Sequence, residues 1–497
     1  MDRVTLAVLA VVLGLPPAVF AALGASLSAR PVILWTDALL YFLILVATGF
    51  ALYARHRDDL RDTWRAVLAR PLGMASLVVL GAYLAVGLLD SVHFRLPVGE
   101  AKHGEVHYAG ESLSLLDLAA TPLREGVEKT YSAPLAITLF VKETLERPDG
   151  TQVRDYPRLR YGGAHLDDPR EHAADVALRA VLGAGQGALL AFLVLVLAGA
   201  AYARRHRLPW ATATARLLRG ETVLPWWSAL ATLTVILVLA GVVAQLAAGY
   251  HVLGTDKVGN DVLYQSLKSI RTGLIIGTLT TLVMLPFALA LGVMAGYFRG
   301  WVDDVIQYLY TTLSSIPGVL LIAAAVLMLQ VYMANHPELF ETEAERADLR
   351  LFFLCVILGI TSWTGLCRML RGEALKLREM DYVTAARALG RRPAAILARH
   401  LVPNVLHIVL ISVVLDFSGL VLAEAVLSYV GVGVDPSMNS WGNMINSARL
   451  EMAREPMVWW SLAAAFVFMF VLVLAANLFA DAVRDAFDPR HARTRTA

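Results

Sequence analysis

Asp416 and Glu424 stand inside one long apolar stretch, where an ionised side chain costs roughly 2.5–3.5 kcal/mol on insertion scales and so faces a cavity or a partner. For Asp416 two placements meet that demand: the wall of a path through the protein, or a hydrogen bond to a Ser or Thr on a neighbouring helix. Glu424 belongs either near an outer gate or at a plain interfacial position. A second grouping, His93, Glu100, His103, Glu105 and His107, has the residue types of metal ligands. Gly104 and Gly110 disfavour the helix that would bring His103 and His107 together, so no metal site is expected. The two cysteines, Cys355 and Cys367, lie in or at the end of a single apolar run and form neither a disulfide framework nor a zinc pattern. No Gly-x-x-x-x-Gly-Lys-Ser/Thr segment occurs. The chain therefore lacks that phosphate-cradling loop, and no bound cofactor is expected.

The residues that could engage another protein are set between two apolar blocks, from Asp381 to Asn404. Tyr382, Ala385, Ala386 and Leu389 recur at i, i+3, i+4 and i+7, which predicts a short helix with one nearly smooth face for close approach by a partner. Gly390 suits a left-handed helix stop. Pro393 suits the first turn of a second short helix, and Pro403 the first turn of the apolar helix that follows. Arg368, Arg371, Lys376, Arg378, Arg387, Arg391, Arg392 and Arg399 outweigh Glu373, Glu379 and Asp381, which marks the loop as cytoplasmic.

The elements that must position these residues are membrane spans. With 57% hydrophobic residues and a mean hydropathy of +0.60, the chain is too apolar for a soluble protein, and its apolar residues fall in blocks long enough to cross a bilayer. Ten spans are expected, at 5–23, 32–53, 71–89, 176–202, 227–247, 273–297, 316–333, 351–370, 405–429 and 458–480. A cleaved signal segment is the alternative for the first, and would leave the remaining topology unchanged. Placing the Arg-rich segments 55–70, 204–219, 368–399 and 484–495 in the cytoplasm alternates correctly across every span and puts both termini inside. The run Arg204-Arg205-His206-Arg207 is topogenic on this reading. Gly183 and Gly187 form a small-xxx-small pair suited to close helix packing. The net charge of +2 forms no nucleic-acid stripe, so no nucleic-acid partner is expected.

The expected organisation is N-terminal membrane helices over 1–90, an extracytoplasmic insert over 91–175, further membrane helices over 176–250, a membrane core over 251–489 and a cytoplasmic tail over 490–497. Within the insert, β-prone runs on either side of Pro148-Asp149-Gly150 predict a hairpin in a small α+β domain.

The core resembles the permease subunits of type I ABC importers, in the dipeptide, oligopeptide and nickel permease family, as a C-type member. The likeness rests on separated blocks. Gly254-Thr255-Asp256-Lys257-Val258-Gly259-Asn260-Asp261 is similar to the family signature before the second core helix. The Asp381–Asn404 segment is similar to its ATPase-docking loop, with Ala385, Ala386, Gly390, His400 and Pro403 in register. Ala423 to Gly431, followed by Ser440-Trp441-Gly442-Asn443-Met444, is similar to the external end of its fifth core helix. Gly296 to Asp304 and Ser315-Ile316-Pro317-Gly318 also match. Thr384 stands where the family has Glu, and Asn260 where it has Arg; Glu379 and Asp381 lie close enough to supply the lost anchor.

The resemblance implies an all-α polytopic permease subunit that moves peptides or similar solutes. Implied partners are a second permease, cytoplasmic ATPase subunits that use the ATP, and an extracytoplasmic solute-binding protein, all at a bacterial inner membrane. Asp381, Tyr382, Ala385, Ala386, Leu389, Gly390, His400 and Pro403 are the expected docking residues. Asp416, Glu424 and Trp441 are candidates for the pathway or gate. The alternatives are an ion-coupled secondary transporter, or a membrane-anchored enzyme or sensor working through the insert. The first half lies outside the resemblance.

Overall fold

A computed structural model describes residues 30–97, 107–146, 152–340 and 342–487. Among these, nine helical segments are long and apolar enough to cross a membrane. Each contains the core of a span expected from the sequence; the first expected span, the tail, most of the His103 grouping and the Pro148–Gly150 turn lie outside the described residues.

The described residues open with strand β1 (Arg30–Val32), then helices α1 (Trp35–Arg55), α2 (Asp58–Leu68) and α3 (Pro71–Asp90). The insert holds β2 (His93–Arg95), β3 (Leu113–Ser114), α4 (Leu115–Ala119), α5 (Thr121–Glu125), β4 (Glu143–Glu146) and β5 (Gln152–Asp155). Strands β4 and β5 pair antiparallel, with Glu143 opposite Asp155 and Glu146 opposite Gln152. A second, three-stranded sheet runs β1-β2-β3, because Pro31 pairs with Phe94, which in turn pairs with Leu113. This sheet takes up Val32, expected as the first residue of the second span.

Three more helices follow: α6 (His172–His206), α7 (Trp210–Arg219) and α8 (Trp226–Ala247). The glycine stripe brings α6 and α8 into backbone contact. A Cβ on Gly183 would lie 2.4 Å from the Gly241 carbonyl oxygen, and one on Gly187 2.4 Å from that of Leu237.

The second half is built around α9 (Val262–Phe298), a 37-residue helix. It is followed by α10 (Trp301–Ser315), α11 (Gly318–Asn335), α12 (Glu343–Ser362), α13 (Thr364–Arg378), α14 (Asp381–Ala388), α15 (Pro393–Ile396), α16 (Val402–Tyr429), α17 (Trp441–Glu451) and α18 (Trp460–Phe487). One apolar core surrounds the C-terminal end of α9, where Met284, Val293 and Tyr297 pack with Leu366, Leu370, Val383, Ile396 and Val405. Another surrounds its N-terminal end, where Ile270 and Leu274 meet Trp441, Trp460 and Ala465. Helix α9 therefore joins the end of the molecule that carries the insert to the end that carries the α14–α15 hairpin.

Candidate functional site

The hairpin forms as its turn residues dictate. Gly390 adopts φ +70°, the left-handed geometry that ends α14 without a Cβ penalty. Pro393 opens α15, and Pro403 sits in the first turn of α16. Asn404 Nδ2 donates to the His400 carbonyl oxygen at 2.6 Å and to the Tyr382 hydroxyl at 3.4 Å, tying the hairpin's two arms together.

The four-residue stripe of α14 divides. Tyr382, Ala385 and Leu389 are exposed, with Leu389 81% open. Ala386 is buried beside Val383 in the core around the C-terminal end of α9. The expected smooth face thus loses Ala386, because Val383 and Ala386 make the i, i+3 pair that anchors so short a helix. The open face also holds Asp381, Thr384 and Arg387.

Behind the hairpin, charged contacts reach into the membrane core. Arg371 grips Asp303 through Nε and Nη2, which donate to the two carboxylate oxygens at 2.6 and 2.7 Å. That hydrogen-bonded pair holds the Asp303 carboxyl below its usual range. Arg378 donates to the Tyr297 carbonyl oxygen at 3.0 Å, and the Arg387 guanidinium lies 5.5 Å from the Tyr297 ring centre. Arg387 therefore ties α14 to α9, while Arg378 and Arg371 tie α13 to α9 and α10, the bidentate pair constraining direction as well as distance.

At the opposite end, residues 254–261 form a loop clasped by the insert. Gly254 and Gly259 have φ of +73° and +84°, and a Cβ on Gly259 would lie 1.7 Å from the Glu128 carbonyl oxygen. Thr255 Oγ1 donates to the Thr130 carbonyl oxygen and accepts from the Ser132 amide, at 2.9 and 2.7 Å. Asp256 accepts from the amides of Val258 and Asn260, both at 2.9 Å. Asp261 caps α9 through the Tyr264 amide and binds His251 Nδ1 at 2.7 Å.

The other ring nitrogen of His251 stands 3.5 Å from Glu128, which accepts from the amides of Arg160, Tyr161 and Gly162. Burial opposes both charges but is overcome. The His251 imidazole, between two carboxylates, is raised to about 9. The Glu128 carboxyl, facing His251 and three amides, falls to about 2. Beside this loop opens a cavity of about 380 Å³, whose wall includes Tyr131, Asn260, Gln265, Asn443, Ser447 and Glu451.

The three pathway candidates occupy different settings. Glu424 is buried between α16 and α17, accepting from Ser428 Oγ at 2.7 Å, with Gly442 packed against it. Trp441 is also buried; its indole donates to the Ser266 carbonyl oxygen at 3.2 Å, and its ring fills the space beside Gly273. Asp416 is half-buried among exposed Leu415 and Gly419, and its carboxylate has no hydrogen-bond partner among the described residues. The structure thus brings Glu424 and Trp441 together at the α16–α17 junction and leaves Asp416 apart.

Sequence reasoning missed the charges that fasten α9. Lys268, largely buried, pairs with Asp90 and Asp117, and buried Arg271 pairs with Asp37. The available signal was the apolar character of residues on both sides of these two cations. Their charge caused the expected span to start at 273, whereas α9 begins at Val262 because both are neutralised.

A multi-pass helical membrane component, with an exposed polar hairpin wired to its central helix, is the class that this arrangement defines. Residues 288–493 match the family described as binding-protein-dependent transport system inner membrane component. The glutathione transport system permease protein GsiD of Pectobacterium atrosepticum is 32% identical over 242 residues, covering 48% of this chain and 73% of that protein. The oligopeptide transport system permease protein OppC of Mycobacterium tuberculosis is 31% identical over 239 residues, covering 48% and 76%. That of Haemophilus influenzae is 28% identical over 242 residues, covering 49% and 71%. The chain belongs to this family of ABC-importer permeases and is a multi-pass inner-membrane protein.

Proposed function

We propose that this chain is one of two permease subunits of an ATP-driven importer for peptides or similar small solutes. The observation that carries the reading is the α14–α15 hairpin. Its outer face presents Tyr382, Ala385 and Leu389 to a partner, while Val383 and Ala386 on its inner face pack in the core around the C-terminal end of α9, and α13, which leads into it, is tied to α9 and α10 through Arg378 and the Arg371–Asp303 pair. A cytoplasmic ATPase docked there would move the hairpin as a lever and tilt α9. Hydrolysis belongs to that separate subunit, and this chain binds no cofactor of its own. In this reading the hairpin face is cytoplasmic, both termini are inside, and the insert lies outside.

The cavity beside the 254–261 loop supports handover of solute from an extracytoplasmic binding protein. Asn260, Gln265 and Asn443 on its wall can exchange hydrogen bonds with peptide amides. Asp416, near the exposed stripe of α16, is assigned to the surface shared with the second permease, where a carboxylate meets water or a polar partner instead of lipid.

Purification from native membrane followed by reconstitution tests the proposal. An ATPase and a second permease should accompany the chain, and peptide uptake into proteoliposomes should require ATP on the hairpin side. Uptake driven by an ion gradient without ATP, or a chain that purifies active and alone, would overturn it.

A further inference from the structure

The first half of the chain converges on the N-terminal turns of α9. From Asp261 to Arg271, that helix carries three charged side chains, of which Asp261 and Arg271 are buried and Lys268 is largely buried. Each meets a partner that precedes residue 254. Asp261 binds His251. Lys268 Nζ lies 3.1 Å from Asp90 Oδ1 at the end of α3, and 2.8 Å from Asp117 Oδ1 in α4. Arg271 Nη2 donates to Asp37 Oδ1 at 2.6 Å and to Thr36 Oγ1 at 2.9 Å, both in α1.

These carboxylates are themselves held. His93 Nδ1 sits 2.8 Å from Asp37 Oδ2, Ser114 Oγ donates to Asp90 at 2.7 Å, and Tyr264 Oη donates to Asp117 at 2.7 Å. Within the second half, Asp348 is the carboxylate that also approaches Arg271, at 3.5 Å. Without the first half, Lys268 would lose both carboxylates and Arg271 would keep only this longer contact. A buried charge deprived of its partner is strongly destabilising.

The helices also pack closely, with the Leu274 side chain of α9 seated against Gly87 of α3. A Cβ on Gly87 of α3 would stand 2.7 Å from Leu274 Cδ1 and 3.9 Å from the Arg271 Cα. Tightly packed, ion-paired contacts of this kind resist sliding, because each displacement separates several buried charges at once.

We infer that the first half is an internal clamp, with Asp37, Asp90 and Asp117 as its gripping residues, and that it moves as one body with the insert end of α9 during transport. The grip stands on geometry alone; the clause about transport rests on the importer reading above. On this view the segment before residue 254 is a permanent, covalently attached subunit of the permease. The working motion then lies between this enlarged body and other elements, not between α3 and α9.

The experiment introduces Gly87→Cys with Leu274→Cys into the full chain, in its assembled complex, on a Cys355→Ala, Cys367→Ala background. Shortening Leu274 removes the clash that a side chain at position 87 would meet. Leu274 Cγ, close to where a cysteine sulfur at 274 would stand, lies 3.9 Å from the position-87 Cβ, so the two thiols are near neighbours. Oxidation should form the cross-link, seen by peptide mass spectrometry, and uptake should stay within about twofold of the reduced protein. A cross-link that does not form, or one that cuts uptake tenfold and is reversed by reductant, overturns the inference. If the uncross-linked complex shows no ATP-driven uptake, the importer reading fails instead.

The grip is read separately by stability. Lys268→Met should lower the yield of monodisperse chain, and adding Asp90→Asn with Asp117→Asn should recover it. A single variant as stable as the parent, or a triple variant without recovery, also overturns the clamp.

Discussion

Leu389 offers the sharpest test of the hairpin, because its side chain is 81% exposed and contributes little to the chain's own packing. Leu389→Ala removes three carbons beyond Cβ, at about 0.8 kcal/mol for each apolar group buried in a contact. Scaled by the exposed fraction, the loss on partner association is about 2 kcal/mol, or about 30-fold in affinity. The assay is titration of the purified partner ATPase onto the chain in nanodiscs, with the melting temperature measured on the same sample. Affinity should fall while melting stays unchanged, and uptake should fall with affinity at limiting ATPase. Ala386→Arg should behave in the opposite order: its site lies in the apolar core with Val383, so melting and yield should drop before docking is even assayed. Full affinity and uptake with Leu389→Ala, or an Ala386→Arg chain as stable as the parent, would refute the assignment of outer and inner faces.

Three further outcomes are expected. His251 is raised from an ordinary value of 6.5 to about 9 on folding, so its contribution is fully present below pH 6.5 and is lost as pH climbs to about 9; melting should decline across that window by at most about 3 kcal/mol, and His251→Gln should flatten the decline. Gly187→Leu drives a side chain into the Leu237 backbone and should lower the melting temperature by an amount equivalent to about 1–3 kcal/mol; an unchanged melt would mean that α6 and α8 do not pack through this stripe. Asp416→Asn should reduce uptake at least about tenfold with normal assembly, since the carboxylate has no hydrogen-bond partner among the described residues and its role would rest on its charge; wild-type uptake in equally expressed complexes would remove Asp416 from the working surface shared with the second permease.

What the sequence revealed was local chemistry. The apolar blocks at 71–89 and 227–247 reappear as α3 and α8 nearly residue for residue, because a bilayer demands a continuous helix and leaves few competing structures. The hairpin was legible for a similar reason. Gly390, Pro393 and Pro403 each restrict their own backbone, so the turn and both helix starts follow without knowledge of distant contacts. The exposed and inward faces of α14 were not legible, since eight residues of alanine-rich helix have no strong polar side and the choice is made by the surrounding core.

The charges on α9 show why other parts stayed hidden. Lys268 and Arg271, viewed along the chain, interrupt an apolar run and argue for a helix that enters the membrane after them. Their actual neighbours are more than 150 residues away in sequence: Lys268 meets Asp117 across 151 positions, and Arg271 meets Asp37 across 234. Nothing in the local pattern distinguishes a cation that remains in water from one neutralised by a carboxylate on another helix. The difference becomes visible only when the partners are assembled, and it extends α9 by three turns toward the insert. The same pairing makes the unmatched first half intelligible, because its buried aspartates complement cations that the permease core alone would leave poorly compensated. A family resemblance confined to the core could therefore describe the proposed lever while missing the structure that holds its opposite end.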